Sequence, residues 1–221
     1  MLRLFLSALL LAGAAHGPAP WLLGQSPAGS GNGNRGGARG VIVAFGDSLT
    51  AGYRTPRDKS YPAFLQRELN RRGYAYSVIN EGVSGNTSGN GLARIETVLR
   101  HKPDIVVVAF GGNDGLRVLP VDRMRLNLRE MIARFQSEGI KVVLAGIKLP
   151  PNYGSQYGRA FENTFSDLAA ELKLPFLPFI MEGVALNPAL MQSDGIHPLA
   201  EGNRRLAMNV LEVLEPLLRQ P

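Results

Sequence analysis

From residue 41 onward the chain alternates short, unbroken apolar runs with longer stretches whose apolar positions recur every three or four residues. Val41-Ile42-Val43-Ala44-Phe45 and Ile105-Val106-Val107-Val108-Ala109-Phe110 are apolar throughout, as expected of strands buried on both faces. Residues 74–80, 140–147 and 176–177 read as three further strands. Between them, helical spacing predicts a helix over 60–72, with Tyr61, Phe64, Leu65 and Leu69 on one face and Gly73 closing it. A second is expected over 92–100, with Leu92, Ile95, Val98 and Leu99 aligned and Pro103 as a stop. A third covers 121–137, through Met124, Leu128, Met131, Ile132 and Phe135, and ends before Gly139. A fourth covers 157–172. The last spans 198–218, with Leu199, Leu206, Val210, Leu211 and Leu214 as its buried stripe.

Strands alternating with helices of this length imply an α/β domain with a mostly parallel sheet covered on both faces. Right-handed crossovers place the strand C-termini along one edge, where open sheets of this kind carry their chemistry. No internal repeat and no second domain are visible.

The first 40 residues follow another pattern. Arg3, the apolar run Leu4 to Leu11 and the small residues Ala12-Gly13-Ala14 make residues 1–17 an export signal, with Ala15-His16-Gly17 as a later cleavage point. The apolar run is too short to span a bilayer, although retention as an anchor is the alternative. Residues 18–40, rich in Gly, Pro, Ser and Asn, read as a flexible linker, leaving 41–221 as the folded domain. An exported, periplasmic or secreted protein is expected, with no stable membrane span after processing.

The formal charge of +6 on 221 residues changes little, because Arg3, Arg35 and Arg39 precede residue 41 with no acidic residue among them. The remainder carries 21 basic against 18 acidic residues, which argues against a nucleic-acid partner. The chain has no cysteine, so disulfides, thiolate catalysis and Cys-based metal sites are excluded.

Four glycine-rich islands carry candidate chemistry. Gly46-Asp47-Ser48-Leu49 follows the first strand; Ser48 could be a nucleophile, or Asp47 or Ser48 merely a helix N-cap. It is not the Gly-x-Ser-x-Gly elbow of the ordinary α/β-hydrolases. Gly85 sits in Val83-Ser84-Gly85-Asn86-Thr87 and could offer a free N–H. Asn113, in Gly111-Gly112-Asn113-Asp114, could donate its amide to an oxyanion or simply form a turn that Asp114 orders. Of three histidines, His16 lies in the leader, and His101 ends a helix where a cation suits the dipole. His197 remains as the candidate base, with Asp194 three residues ahead to orient it across Gly195; an ordinary turn is the bland alternative. No second histidine is at hand to make a metal site.

Ser48, Gly85, Asn113 and His197, in that order with Asp194 before the histidine, resemble the blocks of the GDSL, or SGNH, hydrolases. Further short motifs resemble the bacterial thioesterase I/lysophospholipase/arylesterase branch: Leu49-Thr50-Ala51-Gly52-Tyr53-Arg54, Gly91-Leu92-Ala93-Arg94, Gly111 to Arg117, Leu149-Pro150-Pro151-Asn152-Tyr153-Gly154 and Leu177-Pro178-Phe179. The resemblance spans about residues 41–218. It implies a flavodoxin-like three-layer α/β/α sandwich with a five-stranded sheet, and a serine esterase that uses no cofactor. Ser48 would be nucleophile, His197 base and Asp194 its orienting acid, with Ser48 and Gly85 N–H and the Asn113 amide as oxyanion hole. Asn86 departs from the pattern, since close relatives often carry aspartate there.

The expected partner is a small acyl ester or thioester, including lysophospholipid or acyl-CoA types, acted on by a monomer. Asp47, Leu116, Leu149, Pro150, Tyr153 and Ile196 flank the site as candidate substrate contacts. Two other classes stay open: a carbohydrate O-acetyl esterase on the same fold, and a non-catalytic anion- or nucleotide-binding α/β protein using the glycine loops.

Overall fold

The computed structural model describes residues 40–220; the leader and most of the linker expected above lie outside them. Strand β1, Gly40–Gly46, lies inside the sheet, next to one edge strand, and the turn at Asp47 leads into the one-turn helix α1, Ser48–Ala51. Helix α2, Tyr61–Arg71, returns the chain to β2, Tyr76–Gly82. Two short helices follow, α3 Ser88–Leu92 and α4 Ile95–Leu99, before β3, Ile105–Ala109. After α5, Gly112–Leu116, and α6, Val121–Ser137, come β4, Lys141–Ala145, and α7, Ser155–Glu171. The two-residue β5, Phe176–Leu177, leads through a long irregular segment to α8, Ala200–Leu214.

All five strands are parallel, in the order β2-β1-β3-β4-β5. Val43 stands opposite Ile79 on one side and Val106 on the other, and Val107 opposite Val143. β3 is buried at every residue and β1 at all but Val41, which is why neither shows polar alternation. Helices α2 and α8 pack together over one face, and α3, α6 and α7 over the other. Phe45 of β1 meets Phe110 and, from α6, Phe135 edge to face, with ring centres 4.8 and 5.9 Å away.

The structure moves several element boundaries: β2 runs on to Gly82, β4 ends at Ala145 and α7 already begins at Ser155. β2 begins two residues later than the apolar run suggests, because Tyr74 N–H still donates to Leu69 O in the turn closing α2. The helix expected over 92–100 is two helices. Thr87 and Asn90 form a reciprocal cap that starts α3 early, and Arg94 leaves helical geometry, φ −121° and ψ 21°, to turn its guanidinium inward. The last helix stops at Leu214, with a 3-10 turn around Pro216. Leu199 precedes that helix instead of joining its apolar stripe, and is exposed.

Candidate active site

The four islands lie at the C-terminal ends of β1, β2 and β3 and in the loop before α8. Ser48 is the first residue of α1, so its N–H has no acceptor one turn back within the helix. Asp47 caps the helix by accepting Leu49 N–H at 3.0 Å, and Gly52, at φ 77°, ends it.

His197 Nε2 lies 2.8 Å from Ser48 Oγ, across 149 residues of sequence. Its Nδ1 is 2.8 Å from Asp194 Oδ2. Gly195, at φ 72°, makes the turn between them. Asp194 Oδ1 accepts the N–H groups of Ile196, at 3.1 Å, and His197, at 3.0 Å, so one oxygen is anchored and the other faces the ring. Burial on its own would raise the Asp194 pKa. The bonds from the His197 side chain and from those two amides outweigh it and hold the carboxyl below its ordinary value. The ring of Tyr53 leans on His197 at 4.5 Å between centres, and Gln192 Nε2 ties Tyr53 O to Pro198 O at 2.8 and 2.9 Å.

Gly85 and Asn113 line the same cavity as Ser48. Gly85 has φ 81°, a conformation costly for other residues, and its carbonyl accepts from Arg117 Nη2 at 2.9 Å. Asn113 Nδ2 donates to Asn86 O at 3.0 Å and lies 3.4 Å from Asp47 Oδ2. Asp114 turns away from the cavity: buried, it accepts from Ser88 N at 2.8 Å and Ser88 Oγ at 2.6 Å, and so orders the loop as the sequence suggests.

The chain that builds this constellation matches a family of known proteins. Residues 44–205 match the model of the GDSL-like lipase/acylhydrolase family. The chain belongs to that family. Over 179 residues it is 42% identical to the esterase TesA of Pseudomonas aeruginosa, covering 80% of this chain and 89% of that one. It is 38% identical to thioesterase 1/protease 1/lysophospholipase L1 of Escherichia coli over 185 residues, 83% and 88% of the two chains. A crystal structure of TesA superposes with a TM-score of 0.78 at 42% identity, covering 80% of this chain and 99% of that one. The fold is thus that of the SGNH hydrolases, and the activity that of a serine ester hydrolase.

The hydrolase cavity measures about 570 Å³. Leu116, Leu149, Pro150 and Ile196 line it, together with Ile147, Phe179, Met181 and Leu186, which the sequence pattern does not mark as substrate contacts. Phe179 and Met181 escape it because they sit in irregular chain with no period to read. Asp47 also borders the cavity, but it is almost fully buried and its oxygens are directed at Leu49 N and Asn113 Nδ2. Burial, reinforced by the Asp114 charge, pushes its pKa up to about 7 against those two hydrogen bonds. Tyr153 stays outside the lining; its hydroxyl is 3.4 Å from Leu116 O, where it braces the wall from behind. His101 lies at the end of α4, where its N–H donates to Val98 O, and its Nε2 meets Glu81 at 2.7 Å.

Proposed function

We propose that this ester hydrolase works through a Ser48–His197–Asp194 relay and an acyl-enzyme on Ser48, with acyl esters and thioesters as substrates. The observation that carries it is the pair of 2.8 Å contacts on either side of the His197 ring. Ser48 Oγ attacks the carbonyl carbon while His197 Nε2 takes its proton; Asp194 holds the tautomer and balances the imidazolium. Negative charge gathers on the carbonyl oxygen, facing Ser48 N–H, Gly85 N–H and Asn113 Nδ2. The imidazolium then protonates the departing alkoxide or thiolate, and water repeats the sequence to release the acid.

The mainly apolar lining, from Leu116 and Leu149 to Met181 and Leu186, favours an acyl chain beyond acetyl, which argues against a carbohydrate O-acetyl esterase. Lysophospholipid and acyl-CoA are the substrates of this type to try first. Export also belongs to the proposal: it rests on the N-terminal signal pattern, and among the described residues no helix is long and apolar enough to cross a membrane.

The test is kcat/KM for acyl-CoA, lysophospholipid and p-nitrophenyl esters of increasing chain length, with Ser48→Ala as control. Activity should rise with chain length and fall at least about 10⁴-fold in the variant. Turnover surviving in Ser48→Ala would refute the relay, and acetyl-only activity would refute the chain-binding cavity.

A further inference from the structure

One cation is drawn inside the fold next to the reaction edge and has no part in the relay. Arg94, in the break between α3 and α4, lies with its guanidinium 4.6 Å from the centre of the Phe45 ring and 5.7 Å from that of Phe110. Its planar donors reach three separate pieces of chain. Nη2 donates to Gly46 O at 3.0 Å and to Glu81 O at 2.8 Å, Nε to Asn86 Oδ1 at 2.9 Å, and Nη1 lies 3.4 Å from Glu81 Oε2.

Each of those pieces carries or supports a group assigned above to the oxyanion. Gly46 closes β1, two residues before Ser48, and its carbonyl also accepts Val83 N–H at 3.1 Å. Glu81 lies at the end of β2, where the loop to Gly85 begins. Asn86 follows Gly85, and its own carbonyl accepts the Asn113 amide at 3.0 Å. The guanidinium is therefore common to the supports of Ser48 N–H, Gly85 N–H and Asn113 Nδ2.

We propose that Arg94 is the positioning residue of the oxyanion hole, fixing its three donors relative to one another through Gly46, Glu81 and Asn86. Arginine is suited to this place and lysine is not, because an ammonium is a point donor without a planar fork to reach three acceptors while lying over the Phe45 ring. Glu81, shared with His101, supplies the opposite charge that lets the cation sit in this apolar place. Asn86 serves as a neutral acceptor, which explains how the chain tolerates an amide where the family pattern often has a carboxylate. Fixed donors matter because an amide about 1 Å out of place forfeits much of its effect on a transient charge.

The inference rests on the serine hydrolase reading, so wild-type turnover abolished by Ser48→Ala is the first measurement; its failure would sink both. Arg94→Met, Arg94→Lys, Asn86→Ala and the Met/Ala double variant are then compared on one short aryl ester. Arg94→Met should lower kcat about 10- to 100-fold with KM nearly unchanged, a smaller loss than removing a donor outright. Asn86→Ala should lose less, and the double variant no more than Arg94→Met, because one path runs through the other. Arg94→Lys should fall between wild type and methionine, and it carries the test if the methionine variant does not fold. Wild-type kcat in Arg94→Lys and Asn86→Ala, losses that multiply in the double variant, or a fall confined to KM would overturn the assignment while leaving the hydrolase standing.

Discussion

At the scale of single residues, the site depends on two polar side chains, half-buried Asn113 and buried Asp47, whose partners are few. Asn113 has both amide hydrogens directed at fixed acceptors, Asn86 O and Asp47 Oδ2, and the longer contact of 3.4 Å is the one a developing oxyanion can share. Asn113→Ala should therefore cost about 10²–10³ in kcat with little change in KM, measured on a short ester. Equal losses in both constants would mean that the amide binds ground-state substrate instead. Asp47 makes a different prediction, because its carboxyl titrates near 7 in the fold against about 4 in the unfolded chain. Between those values the native state holds a proton that the unfolded state has lost, so this group's contribution falls as pH rises from about 4 to about 7 and is constant above. Denaturation of wild type and Asp47→Asn from pH 4 to 8 isolates the effect, since Asp194 and Glu68 titrate equally in both. The wild-type advantage should shrink with rising pH through that window, and parallel curves would contradict it.

At the scale of elements, the proposed nucleophile is placed by backbone contact more than by side chains. Gly82, ending β2, lies against α1 so closely that an added Cβ would stand 2.1 Å from Ala51 N and 2.5 Å from Thr50 C. Backbone cannot step aside as a flexible side chain can, so Gly82→Ala should push α1 away and carry Ser48 with it. A loss of about 1–3 kcal/mol in stability together with a fall in kcat is expected. Gly158 is the contrast: inside α7 with nothing near its missing Cβ, it should tolerate alanine with a gain of about 0.5–1 kcal/mol and unchanged kinetics. Thermal or urea unfolding of the two variants beside an ester assay checks both. The same elements show what periodicity can and cannot reveal. α6 runs from Val121 to Ser137 as its apolar spacing demands, because one stripe facing one layer leaves a clean signal. Spacing alone fuses α3 and α4, because Leu92, Ile95, Val98 and Leu99 keep the helical period across a break made by Arg94, and an inward-turned arginine looks like any surface charge.

At the scale of the whole molecule, parallel strands bring islands 149 residues apart to one edge, and the residues of the proposed proton relay were legible because glycine, serine and histidine mark their own turns. The walls of the cavity were less so. Their apolar residues come from the loops after β3 and β4 and from the long segment after β5, none with a period, and only the folded chain collects them. Leu186 shows how such a residue can be recognised afterwards. It lines the cavity while 89% exposed, and it holds φ 65°, a left-handed conformation that leucine disfavours and that asparagine or aspartate accepts more readily. A large apolar side chain in the wrong backbone state and in contact with water serves neither local conformation nor the core. On the acyl-chain reading proposed above, it extends the apolar wall where the chain leaves the cavity. Leu186→Asp should then leave stability unchanged or slightly improved, since the site is exposed and the backbone preference is relieved. It should leave acetyl and butyryl ester turnover close to wild type. For an acyl chain long enough to reach the rim, covering a carboxylate with methylenes is unfavourable, and kcat/KM should drop by about 10-fold or more. A chain-length series on both proteins decides the matter: a uniform loss at every length would point to a disturbed relay, and no loss at any length would place the acyl tail elsewhere.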